Sequence, residues 1–86
     1  MNVETEVIIP VIFEGRNFNS SFRADIIIDK KVLIELKSVE IVLPVHKIQV
    51  LTYLRLSSIR LGLLINFGSA YIKNGIERII NGKIES

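Results

Sequence analysis

The chain alternates between dense aliphatic runs and short polar breaks. From Glu6 to Phe13 it is rich in Val and Ile, which predicts a strand. Pro10 lies within this run and cannot donate to a ladder, so it points to an edge position or a bulge. Glu14-Gly15-Arg16-Asn17 has turn chemistry. Strand-like runs return from about Phe22 to Ile28 and from about Val32 to Lys37, separated only by Asp29-Lys30-Lys31. That spacing predicts an antiparallel hairpin. Pro44 suits the first position of a helix, where its missing N–H costs nothing. The helix is expected to run to about Leu56 and to stop at Ser57-Ser58. Arg60–Asn66 reads as a buried strand, Phe67-Gly68-Ser69 as a loop, and Ile76–Ile80 as a short last strand, with a helical turn as the alternative. The order β-β-β-α-β with a β-rich tail predicts an α/β domain with a mixed sheet.

Against this apolar background the polar residues stand out. Strand side chains alternate, so Glu35 and Lys37 share one face while Ile34 and Leu36 share the other. A two-residue hairpin loop would set Asp25 opposite an apolar residue. A three-residue loop of Asp29, Lys30 and Lys31 pairs Ile28 with Val32, and therefore Asp25 with Glu35; a bulge opens further registers. Two carboxylates so close repel unless a cation lies between them. Asp25, Glu35 and the backbone carbonyl of Leu36 then offer oxygens to Mg²⁺ (or Mn²⁺), which uses few protein ligands and keeps several waters. Such a metal activates water and stabilises charge on a phosphoryl group. Lys37 would assist as a point charge. The plain alternative is an exposed, salt-bridged strand face.

Nearly every direction around the helix carries an apolar residue: Ile48, Val50, Leu51, Leu54 and Leu56. His46, Gln49 and Tyr53, at i, i+3 and i+7, form one polar stripe, which faces either a polar site or solvent. His46 alone reads better as a cap or surface residue than as a metal ligand.

The 86 residues predict one small domain spanning 1–86. A domain of this size buries roughly 60–65% of its unfolded surface. A hydrophobic fraction of 49% excludes disorder and raises the prospect that a partner covers some apolar surface. The net charge of +2 gives only weak support for a polyanionic partner. Lys30, Lys31, Arg55, Arg60, Lys73, Arg78 and Lys83 either follow a phosphate backbone or are ordinary solvated positions. With no cysteine, disulfides and thiolate metal sites are excluded. The start Met1-Asn2-Val3-Glu4 lacks a signal pattern, and the apolar runs are too short for a membrane span. A cytoplasmic protein with no membrane contact is expected.

The runs Glu35-Leu36-Lys37-Ser38-Val39-Glu40, Leu43-Pro44-Val45-His46, Gln49-Val50-Leu51-Thr52-Tyr53-Leu54 and Leu61-Gly62-Leu63-Leu64-Ile65-Asn66-Phe67 closely resemble the GxxExxY family of the PD-(D/E)XK nuclease superfamily. The resemblance extends from about Glu6 to Gly82, and Gln49 with Tyr53 also resembles the fourth motif of RecB-type nucleases. It implies a restriction-endonuclease-like fold, with Asp25 and Glu35 as acidic metal ligands and Lys37 as the catalytic lysine. Gln49 and Tyr53 match positions that line the site or touch nucleic acid. The helix that gives the family its name has no counterpart here, nor has its acidic residue. The sheet face that helix would cover, including Ile26, Ile28, Val32, Ile34 and Leu36, is therefore expected to lie open and to invite a homodimer or larger homo-oligomer.

Two functions follow: a Mg²⁺-dependent nuclease acting on DNA or RNA, or a non-catalytic nucleic-acid-binding or assembly module that keeps the nuclease fold.

Overall fold

The computed structural model describes residues 1–13, 16–68 and 75–82, with 12–13 and 16–21 described as backbone only. The elements are β1 (Val3–Phe13), β2 (Arg16–Ile28), β3 (Val32–Lys37), α1 (Pro44–Ser57), β4 (Leu61–Asn66) and β5 (Ile76–Ile80). The five strands form one sheet in the order β1-β2-β3-β4-β5. Only β3 and β4 run parallel, and α1 is the crossover between them.

The strands β1 and β2 extend beyond the predicted runs, starting at Val3 and Arg16. The reason is cross-strand pairing: Val3 lies opposite Ile28 and Phe13 opposite Arg16, so each strand draws the other's polar residues into the ladder. Arg16 and Asn17 are thus strand rather than turn. Glu14, Gly15, Ser69, Lys73 and Lys83 lie outside the described residues. Pro10 sits on the edge strand β1, and the register shifts between Pro10 and Ile12. An edge and a bulge together accommodate its missing donor.

The hairpin between β2 and β3 has Ile28 opposite Val32, Ile27 opposite Leu33 and Ile26 opposite Ile34. Asp29 and Lys30 both take positive φ, 52° and 54°, and Lys31 N donates to Ile28 O at 2.9 Å. Asp29 is further held by Asn2, whose backbone N donates to Asp29 Oδ1 at 2.6 Å.

Helix α1 covers one face of the sheet. Gly62 makes the close approach possible, since a Cβ there would come within 2.8 Å of Val50 Cγ1. Val50, Tyr53 and Leu54 are the fully buried helix residues, and they pack with Ile9, Ala24, Ile27, Leu33, Ile59 and Leu64. Ile48, one of the apolar residues around the helix, is 61% exposed, because it lies beyond the sheet-facing stripe. At the helix end Ser58 adopts φ 57° and its N–H reaches Leu54 O, a left-handed cap that Ser provides without glycine.

The opposite face carries Ile26, Ile28, Val32, Ile34 and Leu36 with Leu61, Leu63, Ile65, Ile76 and Ile80, as the registers require. None of these ten is fully buried, and Leu36, Ile76 and Ile80 are exposed. Among the described residues no helix is long and apolar enough to cross a membrane.

Candidate functional site

The β2–β3 ladder ends at Ile26 and Ile34, and the polar residues begin one step beyond it. There the pleat of β2 changes phase. Ala24, Ile27 and the Phe22 ring all turn toward the helix side, although strict alternation forbids this for Ala24 and Ile27 together. The break falls at Asp25. Across the β1–β2 ladder the position facing it is Glu6, an unpaired residue with φ 50°. Left-handed backbone at a non-glycine residue is uncommon and marks a local distortion of the strand.

Freed from the regular ladder, the Asp25 side chain replaces a strand bond: Leu36 N donates to Asp25 Oδ2 at 2.8 Å. Leu36 N–H therefore points toward β2. A strand residue's C=O lies on the same side as its N–H, so the Leu36 carbonyl shares that edge with Asp25.

Glu35 lies beside Asp25, as the three-residue loop predicts. It is buried, with 4% exposure, on the helix-covered face of a central strand. Burial chiefly, and then hydrogen bonding to and the charge of Asp25, push its carboxyl up to about 7, while Lys37 pulls the other way. Glu35 Oε1 is buried without a hydrogen-bond partner among the described residues. Buried polar atoms are satisfied in nearly every case, so an orphaned carboxylate oxygen calls for a cation or a proton. The pair Asp25 and Glu35, with the Leu36 carbonyl, fits a hard divalent ion in donor chemistry. Among the described residues no three His, Cys, Asp or Glu side chains converge, so the remaining sites of such an ion would fall to water or substrate oxygens.

Lys37 is the last residue of β3, and its placement is fixed from the neighbouring strand. Asn66, paired with it across the parallel ladder, is buried and clamps Val39. Val39 N donates to Asn66 Oδ1, and Asn66 Nδ2 donates to Val39 O, both at 2.9 Å. Phe67 N donates to Lys37 O at 2.8 Å. Gly68 completes the clamp: a Cβ there would collide with the Val39 backbone carbonyl, so no other residue fits.

The helix brings the other polar residues to Lys37. An open cleft of about 420 Å³ is lined by Phe22, Lys37, Val45, His46, Ile48, Gln49, Thr52 and Tyr53. His46 also caps the helix: Leu43 N donates to its Nδ1 at 2.9 Å, which leaves Nε2 as the nitrogen able to carry the ring proton. Gln49 Nε2 donates to Tyr53 Oη at 2.9 Å. Burial, then the Glu35 charge, raise the Tyr53 phenol above its usual range; Gln49 opposes this and Asp25 adds to it. Tyr53 is thus buried between the cleft and the carboxylate pair. Phe22 packs on it at 5.1 Å between ring centroids.

The structure therefore gathers Asp25, Glu35, Leu36 and Lys37 at the splayed end of the hairpin, and His46, Gln49 and Tyr53 along the cleft beside it. Sequence reasoning missed Phe22, Val45, Ile48, Thr52 and the clamp residue Asn66. The helical spacing of 45, 48, 49, 52 and 53 was the available signal for three of these. Phe22 arrives only through the β1–β2 register.

A mixed five-stranded sheet with a crossover helix, bearing buried Glu35 beside half-buried Asp25 and a lysine at the end of β3, defines an α/β architecture of the restriction-endonuclease-like type. The model of the PD-(D/E)XK nuclease superfamily matches residues 1–79, and the chain belongs to that superfamily. Among solved structures it is similar to the one described as "Crystal structure of SSO0001", at 30% identity with a TM-score of 0.70 over 91% of this chain. The match covers 41% of that protein, so this chain spans about two fifths of its length. No curated protein matches.

Proposed function

We propose that the chain is a metal-dependent nuclease, or the nuclease-like core of one, that hydrolyses phosphodiester bonds in DNA or RNA. The observation that carries this reading is the orphaned oxygen of buried Glu35, set beside Asp25 on one side and Lys37 on the other. Superfamily membership agrees with it, and the motifs quoted above favour the GxxExxY group within that superfamily.

Asp25, Glu35 and the Leu36 carbonyl would hold Mg²⁺, with Mn²⁺ as a substitute, and the bound ion supplies Lewis acidity toward a phosphate oxygen and lowers the pKa of water. Lys37 contributes a fixed ammonium at the mouth of the site, where it orients a phosphate and offsets charge developing on it. The Asn66 clamp holds Lys37 in that place. Tyr53, tethered by Gln49, closes the inner wall and keeps bulk water from Glu35. His46 offers a proton donor further along the cleft.

The test is cleavage of labelled single- and double-stranded DNA and RNA with Mg²⁺ or Mn²⁺. Cleavage that disappears in Glu35→Ala and Lys37→Ala is expected. No cleavage by the wild type, or equal cleavage by Glu35→Ala, overturns the reading.

The bare sheet face favours a second reading, an oligomeric assembly or nucleic-acid-binding module without catalysis. Ile76 and Ile80 are each 46% exposed and Leu36 38%, within an aliphatic surface that Arg78 interrupts. Such a surface is a site of association. Light scattering decides: a stable homodimer whose thermal stability ignores divalent metal supports this reading, and a metal-stabilised monomer opposes it.

A further inference from the structure

We infer that the cleft beside Lys37 receives an unstacked nucleobase, so that the substrate is a single strand or an unpaired segment and not an intact duplex. The inference rests on the nuclease reading and names the substrate class of that site.

The cleft walls are mainly apolar. Val45, Ile48 and Phe22 contribute carbon surface, and Phe22 is 36% exposed although it packs on Tyr53. A groove that only tracks a phosphate backbone is lined by cations, whereas among the described residues Lys37 is the one cation lining this cleft. Its volume of about 420 Å³ lies within the range of small-ligand sites, about 300–1,000 Å³.

The polar groups are few and have unused capacity of the kind that reads a base edge. Gln49 spends one N–H on Tyr53, which leaves a second N–H and its carbonyl oxygen. His46 Nδ1 is occupied by Leu43 N, so Nε2 is its free donor. Thr52 donates its hydroxyl to Ile48 O at 2.9 Å and keeps acceptor capacity on the cleft side. Lys37 borders both the cleft and the acid pair. A nucleotide whose phosphate meets Lys37 can therefore place its base against Phe22 and Ile48, with Gln49 and His46 at its edge. Stacked and paired bases in a duplex cannot make these contacts, and base–aromatic stacking typically contributes about 1–3 kcal/mol per base.

The test measures binding by fluorescence anisotropy with the Glu35→Gln protein, in which cleavage is blocked. Four labelled probes are compared: a short single-stranded DNA, the RNA of the same sequence, the DNA duplex, and the same DNA backbone made wholly abasic. At least tenfold tighter binding of the single strands than of the duplex and the abasic strand is expected. Adding Ile48→Ala or Phe22→Ala should weaken single-strand binding at least fivefold while leaving the abasic probe, which keeps every phosphate, unchanged. Ile48 is exposed, so that variant keeps the test independent of folding. Equal binding of intact and abasic strands, tighter duplex binding, or no binding to any probe overturns the inference. Cleavage by the wild type with no base dependence would leave the nuclease reading standing alone. Base-dependent binding without any cleavage would do the reverse.

Discussion

The two faces of the sheet draw on the same stock of Ile, Leu and Val, yet they treat polarity in opposite ways. The helix-covered face buries Glu35 and Asn66 among its aliphatic residues and sets Lys37 at its edge. The bare face leaves Leu36, Ile76 and Ile80 exposed, interrupted among the paired positions of β4 and β5 by Arg78. Stability alone would favour the reverse distribution, since a buried unpaired charge costs several kcal/mol and an exposed isoleucine gains nothing. On the proposed nuclease reading, Glu35 and Lys37 are retained on the covered side for chemistry, while Asn66 holds Val39 beside them. The apolar residues on the other side are suited to contact with another surface.

The largest expected effect tests the chemical half of that contrast. Lys37→Ala and Glu35→Gln should each lower cleavage by at least about 100-fold, the size seen when a charge-stabilising group is removed. The readout is initial rate on labelled oligonucleotides, with unchanged circular dichroism as control. Retained activity in both would remove the reason for polarity on this face.

Next comes the packing half. Leu54→Ala should destabilise by about 2–5 kcal/mol, because Leu54 is fully buried between the helix and Gly62. Ile80→Lys on the bare face should change monomer stability by no more than about 0.5 kcal/mol, as surface substitutions do. It should instead shift any dimer toward monomer in analytical ultracentrifugation. Urea melts of the two variants compare the faces directly. Equal losses would mean that the bare face is as much a core as the covered one.

The Glu35 carboxyl gives the contrast a pH dependence. Its value is raised from 4.5 to about 7 in the metal-free fold, so between those values the folded state holds more proton than the unfolded one. Stability is then greatest at and below about pH 4.5 and falls as pH rises to about 7, by about 3 kcal/mol if the whole shift is expressed. Glu35→Gln should flatten this slope and be the more stable protein at pH 8. Denaturant melts at pH 5 and pH 8 with EDTA present check both points, and a wild type that gains stability toward pH 8 contradicts them.

A smaller effect, about 2.7 kcal/mol at a hundredfold excess over Kd, is expected from Mg²⁺ itself, since a ligand that binds only the folded form stabilises it. Thermal melts with and without Mg²⁺ at pH 8 measure it, and Asp25→Ala should abolish it.

Much of the framework was legible because its signals are local. Asp29-Lys30-Lys31 marked the turn, and of the registers it left open the structure takes the one with Ile28 opposite Val32. Pro44 and Ser57-Ser58 bracketed the helix. Pro10 announced the irregular edge strand. Nothing local announced the kink at Glu6 and Asp25, since a positive φ at a glutamate leaves no mark in composition. Asn66 read as an ordinary strand end because its role depends on Val39, 27 positions away. Apolar residues point in nearly every direction around the helix, but a single neighbouring sheet covers only one side. Ile48 and Val45 were left to line a cleft, a result of tertiary geometry that periodicity cannot supply.

The hydrogen bond from Leu36 N to Asp25 has one more consequence. On the nuclease reading a single aspartate serves as both architecture and reagent, standing in for a missing rung between strands while offering charge to the space beside it. Asparagine at that position would preserve the rung and forfeit the charge. A descendant carrying that exchange would look intact, fold normally and be chemically silent. On that reading, the step from enzyme to inert scaffold is, at this position, one oxygen exchanged for an amide nitrogen.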